Sequence, residues 1–375
     1  MINNEEQFKK TIFVNCTAAT SGGALTVLQQ FLNGISKYDK GNLYYIFCTA
    51  PEIKGYESYN IKVISNIYKR KWIGRIWWDN IGLEKWIGDN KIEPDLVVSL
   101  QNTGVRLGRR IKQIIYYHQS LPMYEYKWSL IKKQERKLWI YKNIYPWFVK
   151  KHFYKNDILV VQSEWMKEAA NRVLDIDLNK IKVINPTVQI KEDREIKKRS
   201  GSEENTFIMI YPATNVAFKN HKVIYQALKI VNKERPDIIK NLRFYVTLEK
   251  GERDQIDGAE FDSNIEFLGN LEYEKLLDMY SNVDSMVFPS YLETVGLPLL
   301  EAAYFGLPII ASDLPYARET VRDYKGVAFV KYDDPEAWAD AIISAYENRK
   351  KYDRLLSDQR DTWEDMFLLI KQQLV

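Results

Sequence analysis

Histidine and cysteine are scarce in this 375-residue chain, with three of the first and two of the second. No Cys/His cluster has metal-ligand spacing, so no metal site is implied. Cys16 and Cys48 each follow a strand-like run and read as core thiols in a reducing compartment, not as a disulfide. No apolar run approaches the ~20 residues that span a bilayer. The N-terminus, Met1-Ile2-Asn3-Asn4-Glu5-Glu6, lacks the basic-then-apolar order of a secretory signal. A cytoplasmic protein is expected, with room for peripheral contact on the inner face of the cell membrane. The spaced Gly-x-Gly-x-x-Gly of dinucleotide enzymes is missing, which counts against a dehydrogenase. A net charge of +4 is too mild to imply nucleic acid.

What the chain does have is apolar and aromatic substance: 46% hydrophobic residues, 25 Tyr and 10 Trp, enough for a packed interior. Its length suits about two domains. Short β-branched or aromatic runs alternate with helical stretches. In the first half they fall at 11–15, 43–49, 61–64, 95–100, 111–118 and 157–162; in the second at 206–212, 242–248, 264–268, 284–289, 308–312 and 326–330. Several are apolar on both faces, as strands of a covered parallel sheet must be. Two such blocks predict two doubly wound α/β units, with ligands at the carboxyl ends of the strands. The junction is expected at 185–201, where Asn185-Pro186 leads into the polar run 191–202.

The most informative segment is Ser290-Tyr291-Leu292-Glu293-Thr294-Val295-Gly296-Leu297-Pro298-Leu299-Leu300-Glu301-Ala302. An apolar strand precedes it, and a helix is expected with Pro298 in its first turn, where proline is tolerated. Glu301 then falls near the helix start, whose free N–H groups attract anions. A carboxylate beside an anion site makes sense for a ligand with both phosphates and hydroxyls, such as a nucleotide sugar. Taken alone, Glu301 reads equally well as a charge favouring the helix start.

The whole run resembles the signature of the retaining glycosyltransferases of family 4: Glu, seven residues, Glu, then Ala and Gly-x-Pro. Here it reads Glu293 to Glu301, Ala302, Ala303 and Gly306-Leu307-Pro308, and continues through Leu314-Pro315-Tyr316-Ala317-Arg318-Glu319, about thirty residues in order. The resemblance implies the α/β GT-B architecture, two facing Rossmann-like domains with a cleft between them. Residues 1–187 would form the acceptor domain and 188–360 the donor domain, with a helix at about 361–375 crossing back to the first.

By the same resemblance, Lys219-Asn220 grips the donor diphosphate, Glu293 contacts the donor sugar and Glu301 holds the ribose hydroxyls. Thr294, Val295 and Gly296 offer amides to sugar or phosphate, and the turn at Gly269 and Leu271 pairs with the base. His118, at the end of a strand, lies beside the donor sugar; Lys219, Glu293 and His118 are the candidate catalytic residues. The arginine that many members carry just before the lysine is missing at Ala213-Thr214-Asn215. Gly22-Gly23 follow the first strand, where glycines let backbone approach phosphate or sugar. Ser163 is a candidate helix cap. Asp175-Ile176-Asp177 reads as a turn. No cofactor or metal is implied, because cations and amide dipoles stabilise a leaving diphosphate.

Two stretches interleave cations with aromatics: 68–78, and 127–152 with Trp128, Trp139 and Trp147. They suit an anionic membrane interface or, equally, amphipathic helices whose aromatics pack inward. Nucleic acid is a poorer partner, since the glutamate motif would be idle. The expected activity is transfer from a UDP- or GDP-type nucleotide sugar to a saccharide or polyprenyl-diphosphate-linked acceptor, in surface polysaccharide assembly of the capsule or O-antigen kind. The alternatives are a nucleotide-sugar epimerase of similar architecture and a catalytically silent binding or scaffold subunit.

Overall fold

In the computed structural model the described residues are all but 1–7, 21, 66, 68–70, 109–110, 134, 187, 189, 191–205, 256–262 and 356–360. The polar run read as a linker, Ser21 and the start of the first basic aromatic stretch lie outside them. The chain divides into two compact units, 1–185 with 361–375, and 186–360.

The first unit holds β1 (Thr11–Asn15), β2 (Leu43–Phe47), β3 (Ile61–Ile64), β4 (Leu96–Ser99), β5 (Lys112–Tyr117), β6 (Ile158–Val161) and β7 (Ile181–Val183). They form a parallel sheet in the order β3-β2-β1-β4-β5-β6-β7. Side chains alternate across a strand, so each face needs its own cover. Ile12 and Val14 pack under the helix Gly22–Tyr38, with Leu28, Phe31 and Ile35. Phe13, between them in sequence, faces the opposite layer with Trp78, Leu83 and Ile87. From Ile12 onward β1 is therefore buried and apolar on both sides until Asn15, where the strand ends.

The helix Trp363–Gln373 belongs to this unit and lies on Gly22–Tyr38. Phe367 stacks on Phe31 at 5.2 Å between centroids. Gly34 allows that approach, since a Cβ there would collide with the Phe367 ring. Lys37 and Tyr38 both bond to Asp361, at 3.1 and 2.7 Å.

The second unit holds β8 (Phe207–Tyr211), β9 (Leu242–Val246), β10 (Ile265–Phe267), β11 (Ser285–Phe288), β12 (Ile309–Ser312) and β13 (Val327–Val330), parallel in the order β10-β9-β8-β11-β12-β13. Helices His221–Glu234 and Pro335–Asn348 pack against each other through buried faces that include Ile224, Leu228, Trp338 and Ile342.

Two local expectations need correction. Ser163 sits at the N-cap of Glu164–Leu174 but makes no capping bond with its side chain. The strand β7 lies where none was expected. Its sequence Ile-Lys-Val is short and only partly buried, which is how an edge strand escapes an apolar-run criterion. The Asp175–Asp177 segment is a turn: Asp175 closes a helix in the left-handed region and Asp177 caps the next short one through Asn179 N. Both cysteines are free and buried.

Candidate active site

In the second sheet the chain runs outward from β8 through β9 to β10, then resumes at β11 and runs the other way. The loops after β8 and β11 therefore part company at a topological switch point, where open α/β sheets bind ligands. Lys219 follows β8, and Glu293 follows β11.

The turn carrying Lys219 is fixed from several sides. Asn220 adopts φ 58°, a left-handed conformation that asparagine tolerates better than other non-glycine residues. Its amide donates to the carbonyls of Pro289 (3.3 Å) and Tyr332 (2.7 Å). Tyr211 Oη donates to Lys219 O at 2.7 Å. Phe218 O accepts from Tyr291 N (2.9 Å) and Ser290 Oγ (3.2 Å), so the two loops are laced together. As a result, Lys219 Nζ lies 2.5 Å from Glu293 Oε1, with 18% and 16% of the two side chains still exposed. The ammonium also lies 5.8 Å from the Phe288 ring centroid. The pair reaches solvent, so a ligand oxygen has access to the cation.

Beyond Glu293 the chain turns at Gly296, φ +82°, into the helix Leu297–Tyr304. A Cβ at Gly296 would stand 3.2 Å from the Tyr316 ring. Tyr316 Oη donates to Ser290 O at 2.6 Å, and Thr320 Oγ1 to Val295 O at 2.6 Å, so the loop rests on a bonded floor. Thr294, Val295 and Gly296 are thereby held at the mouth of the helix.

Glu301 lies in the second turn of this helix, and only 5% of it is exposed. Its Oε2 accepts from Tyr280 Oη at 2.9 Å. Burial pushes its pKa up, while bonds from Tyr280 and Tyr273 pull it down. Tyr273 and Tyr280 were missed in the sequence. Their spacing of seven places both on one face of Tyr273–Asn282, and that was the available signal. Tyr273 is 45% exposed and connects this carboxyl group to the surface.

Gly269 follows β10, two strands from β8, with φ +67°. A Cβ there would sit 2.9 Å from Glu249 Oε1, and Asn270 N donates to that oxygen at 3.4 Å. Leu271 follows, half-buried. Glu249 is a second residue the sequence reading did not single out. Asn215, in the stretch 213–215 that holds no arginine, donates to Glu252 O at 3.2 Å.

Gly22, Gly23 and His118 lie in the first unit. Gly22 opens its helix at φ +59°, and a Cβ at either glycine would meet nothing within 4 Å. His118 follows β5, beside Asn102 in the αL region (φ 69°). Asn102 Oδ1 accepts from His118 N at 2.6 Å, and Asn102 Nδ2 lies 3.4 Å from His118 Nε2. With that amide as donor, Nε2 accepts and Nδ1 carries the proton. Nδ1 is buried and takes no hydrogen bond among the described residues. Burial, helped by Arg75, pushes the ring down to about 4, so it is neutral at neutral pH.

Under this histidine, at the first sheet's own switch point between β1 and β4, lies a buried polar network. Asp79 Oδ1 accepts from Asn15 Nδ2 (3.1 Å) and Gln101 Nε2 (2.9 Å). Arg75 Nη2 donates to Gln101 O (2.7 Å) and Thr103 Oγ1 (3.0 Å), with Nε 3.7 Å from Asp79 Oδ2. These bonds fix residues 101–103, including the strained Asn102. Among the described residues no group of three His, Cys, Asp or Glu could hold a metal ion.

Residues 21–192 match the family described as Glycosyltransferase Family 4, and residues 192–361 the one described as Glycosyl transferases group 1. The chain belongs to the family 4 glycosyltransferases. It is 29% identical over 183 residues to the O-antigen chain mannosyltransferase RfbU of Salmonella typhimurium, a match covering 47% of each chain. The chain thus spans about half the length of the curated relatives it matches. Among solved structures it resembles sucrose-phosphate synthase of Thermosynechococcus elongatus (TM-score 0.66, 17% identity, 97% of this chain and 98% of that one). It also resembles HepE of Anabaena in complex with UDP-glucose (TM-score 0.58, 14% identity, 97% and 98%). The fold is α/β of the GT-B class.

Proposed function

We propose that this chain is a retaining, metal-independent glycosyltransferase that moves a sugar from a nucleotide sugar to a saccharide or lipid-linked saccharide acceptor. The observation that carries the reading is the solvent-reaching Lys219–Glu293 pair at the second sheet's switch point. The names of RfbU and of the HepE complex support an O-antigen-type pathway and a UDP-type donor. That pathway also implies work at the cytoplasmic face of the membrane.

In this reading the donor diphosphate lies against Lys219, and Glu293 accepts hydrogen bonds from sugar hydroxyls. The C1–O bond to the diphosphate breaks as the acceptor oxygen bonds to C1 on the same face. The acceptor proton passes to the departing phosphate oxygen. No enzyme nucleophile takes part, and the acceleration comes from orientation and from the fixed cation. Glu301 reaches ribose hydroxyls only if Tyr280 or Tyr273 yields its bond. A silent nucleotide-sugar-binding subunit is the second reading, favoured by the stretch 213–215, which supplies no second cation.

The test is a thermal-shift panel of UDP- and GDP-sugars, followed by nucleotide release and proton NMR of the product anomer, with and without EDTA. Retained configuration and EDTA-insensitive turnover are expected. A stabilising donor that is never turned over would favour the silent subunit. Inverted product or EDTA-sensitive turnover would overturn the mechanism.

A further inference from the structure

The chain leaves the first unit after Asn185 and re-enters it at Asp361. Inside that unit both crossings lead to one side chain, Tyr116. From the outgoing crossing, Asn185 Nδ2 donates to Gln162 O at 3.2 Å, and Gln162 Nε2 donates to Tyr116 Oη at 3.1 Å. On the return, Asp361 Oδ1 accepts from Trp363 N at 3.1 Å, while its other oxygen holds Lys37 and Tyr38. The Trp363 ring stacks on Tyr116, with centroids 5.8 Å apart and planes 23° from parallel. Trp363 is itself fixed, by Phe31 at 5.9 Å and through Nε1 by Gln30 Oε1 at 3.3 Å. At the far end of the same helix, Lys112 Nζ donates to Gln373 O at 3.1 Å, so β5 is tied to the returning helix at both ends.

Tyr116 is 3% exposed and stands two residues before His118. Residues two apart share a face of a strand. The His118 ring accordingly continues the row, 5.9 Å from Tyr116 and at 46° to it. Tyr116 also holds the partner of that histidine, since Asn102 N donates to Tyr116 O at 3.3 Å.

Only one ring nitrogen of His118 has a hydrogen bond among the described residues, Nε2 to Asn102 Nδ2 at 3.4 Å. A bond that long restrains a ring weakly. Packing must supply the rest of the restraint, and Tyr116 is the aromatic ring beside it.

We infer that Tyr116 is a positioning residue for His118, and that it ties this histidine to both connections between the units. A disturbance at Trp363 therefore reaches His118 across one intervening ring. The inference rests on the proposed transferase reading where turnover is measured, and stands apart from it where the ring itself is observed.

The test is NMR of the full chain with labelled histidine rings, at neutral pH. The chain has three histidines, and His118→Asn identifies the signals that matter. A single neutral form with the proton on Nδ1 is expected in the parent. Trp363→Leu and Tyr116→Leu should each bring in the form with the proton on Nε2, while Trp363→Phe keeps the parent's signals. Phe367→Leu is the control, because it removes a stack on Phe31 from the same helix and should leave the His118 signals in place. With the best donor of the panel, Trp363→Leu should lower kcat about tenfold or more and leave the donor KM nearly unchanged. Melting curves check folding, and if Tyr116→Leu does not fold, Trp363→Leu decides alone. His118 signals unmoved by Trp363→Leu, or moved as much by Phe367→Leu, overturn the inference. Moved signals with the parent's kcat overturn it too, because the positioning then serves no reaction. A parent that turns over no donor, with signals that move as expected, sinks the transferase reading alone. Turnover with unmoved signals sinks the positioning alone.

Discussion

In the second unit, the strand-order reversal between β8 and β11 carries a lysine and a glutamate that reach solvent. In the first, the reversal between β1 and β4 carries Asn15, Asp79 and Gln101, all buried and bonded to one another. The topology is the same at both places; what differs is how much water reaches the charges. A cation open to solvent keeps its capacity to meet a ligand phosphate. A carboxylate whose oxygens are already satisfied by the protein instead fixes the backbone around it. The first network therefore acts as scaffold for Asn102 and His118, while the second pair stays open to a ligand.

The sharpest way to break this contrast is Lys219→Ala. Loss of one fixed cation at a departing diphosphate should lower turnover about 10²–10³-fold and leave the melting curve nearly in place. Transfer kinetics with the best donor of the panel measure it. Turnover close to the parent's would remove Lys219 from the site and erase the distinction between the two reversals.

Asp79→Ala should show the opposite pattern. It strands the amides of Asn15 and Gln101 and leaves Arg75 without its carboxylate, so unfolding should become easier by about 2–4 kcal/mol. Nine of the ten tryptophans lie in the first unit, which makes urea unfolding followed by tryptophan emission a report on that unit. An unchanged midpoint would mean that the network contributes little to holding residues 101–103.

The sheets were legible in the sequence because parallel strands buried on both faces must be apolar throughout. Runs such as 11–15 and 61–64 coincide with β1 and β3. The edge strand β7 was not legible, since an edge is covered less and alternates in polarity. The glutamate motif led to the loop that meets Lys219, because spacing along one chain segment survives folding. Glu301's bond to Tyr280 was hidden for the opposite reason: it joins two helices whose packing no local pattern encodes. The Asp79 network was hidden for the same reason. It gathers residues 15, 75, 79, 101 and 103 from separate segments, each with an unremarkable neighbourhood in sequence.

Glycine substitutions sharpen the comparison at a smaller scale. Gly296→Ala forces a left-handed φ on alanine and sets its Cβ 3.2 Å from Tyr316, so a loss of about 1–2 kcal/mol is expected. Gly23→Ala has open space and no left-handed φ, and should shift stability by less than about 0.5 kcal/mol. Equal stability losses at both positions, by thermal melting, would contradict the packing described for the Gly296 turn.

The last effect concerns pH and separates the network from its surroundings. Burial pushes Asp79 up to about 6, against the opposing pull of Arg75, and Asp157 also up to about 6. A carboxyl raised by folding keeps its proton in the native state after the unfolded chain has lost it. Its contribution to stability therefore falls as pH rises from the unfolded value towards about 6. His118 and His152 are pushed down to about 4 by burial, so their contribution falls in the other direction, as pH drops from the usual histidine range towards about 4. The two acids and two histidines of the first unit oppose each other across one window, and the parent protein should show a nearly flat profile there. Asp79→Asn takes away one acid and keeps a carbonyl oxygen to accept from Asn15 Nδ2 and Gln101 Nε2. Relative to the parent, the variant should gain on the order of 1 kcal/mol between about pH 4.5 and about pH 6.5, since the histidine slopes and Asp157 are common to both and cancel in the difference. Parallel profiles for the two proteins would mean that Asp79 is ionised throughout, with Arg75 offsetting its burial in full.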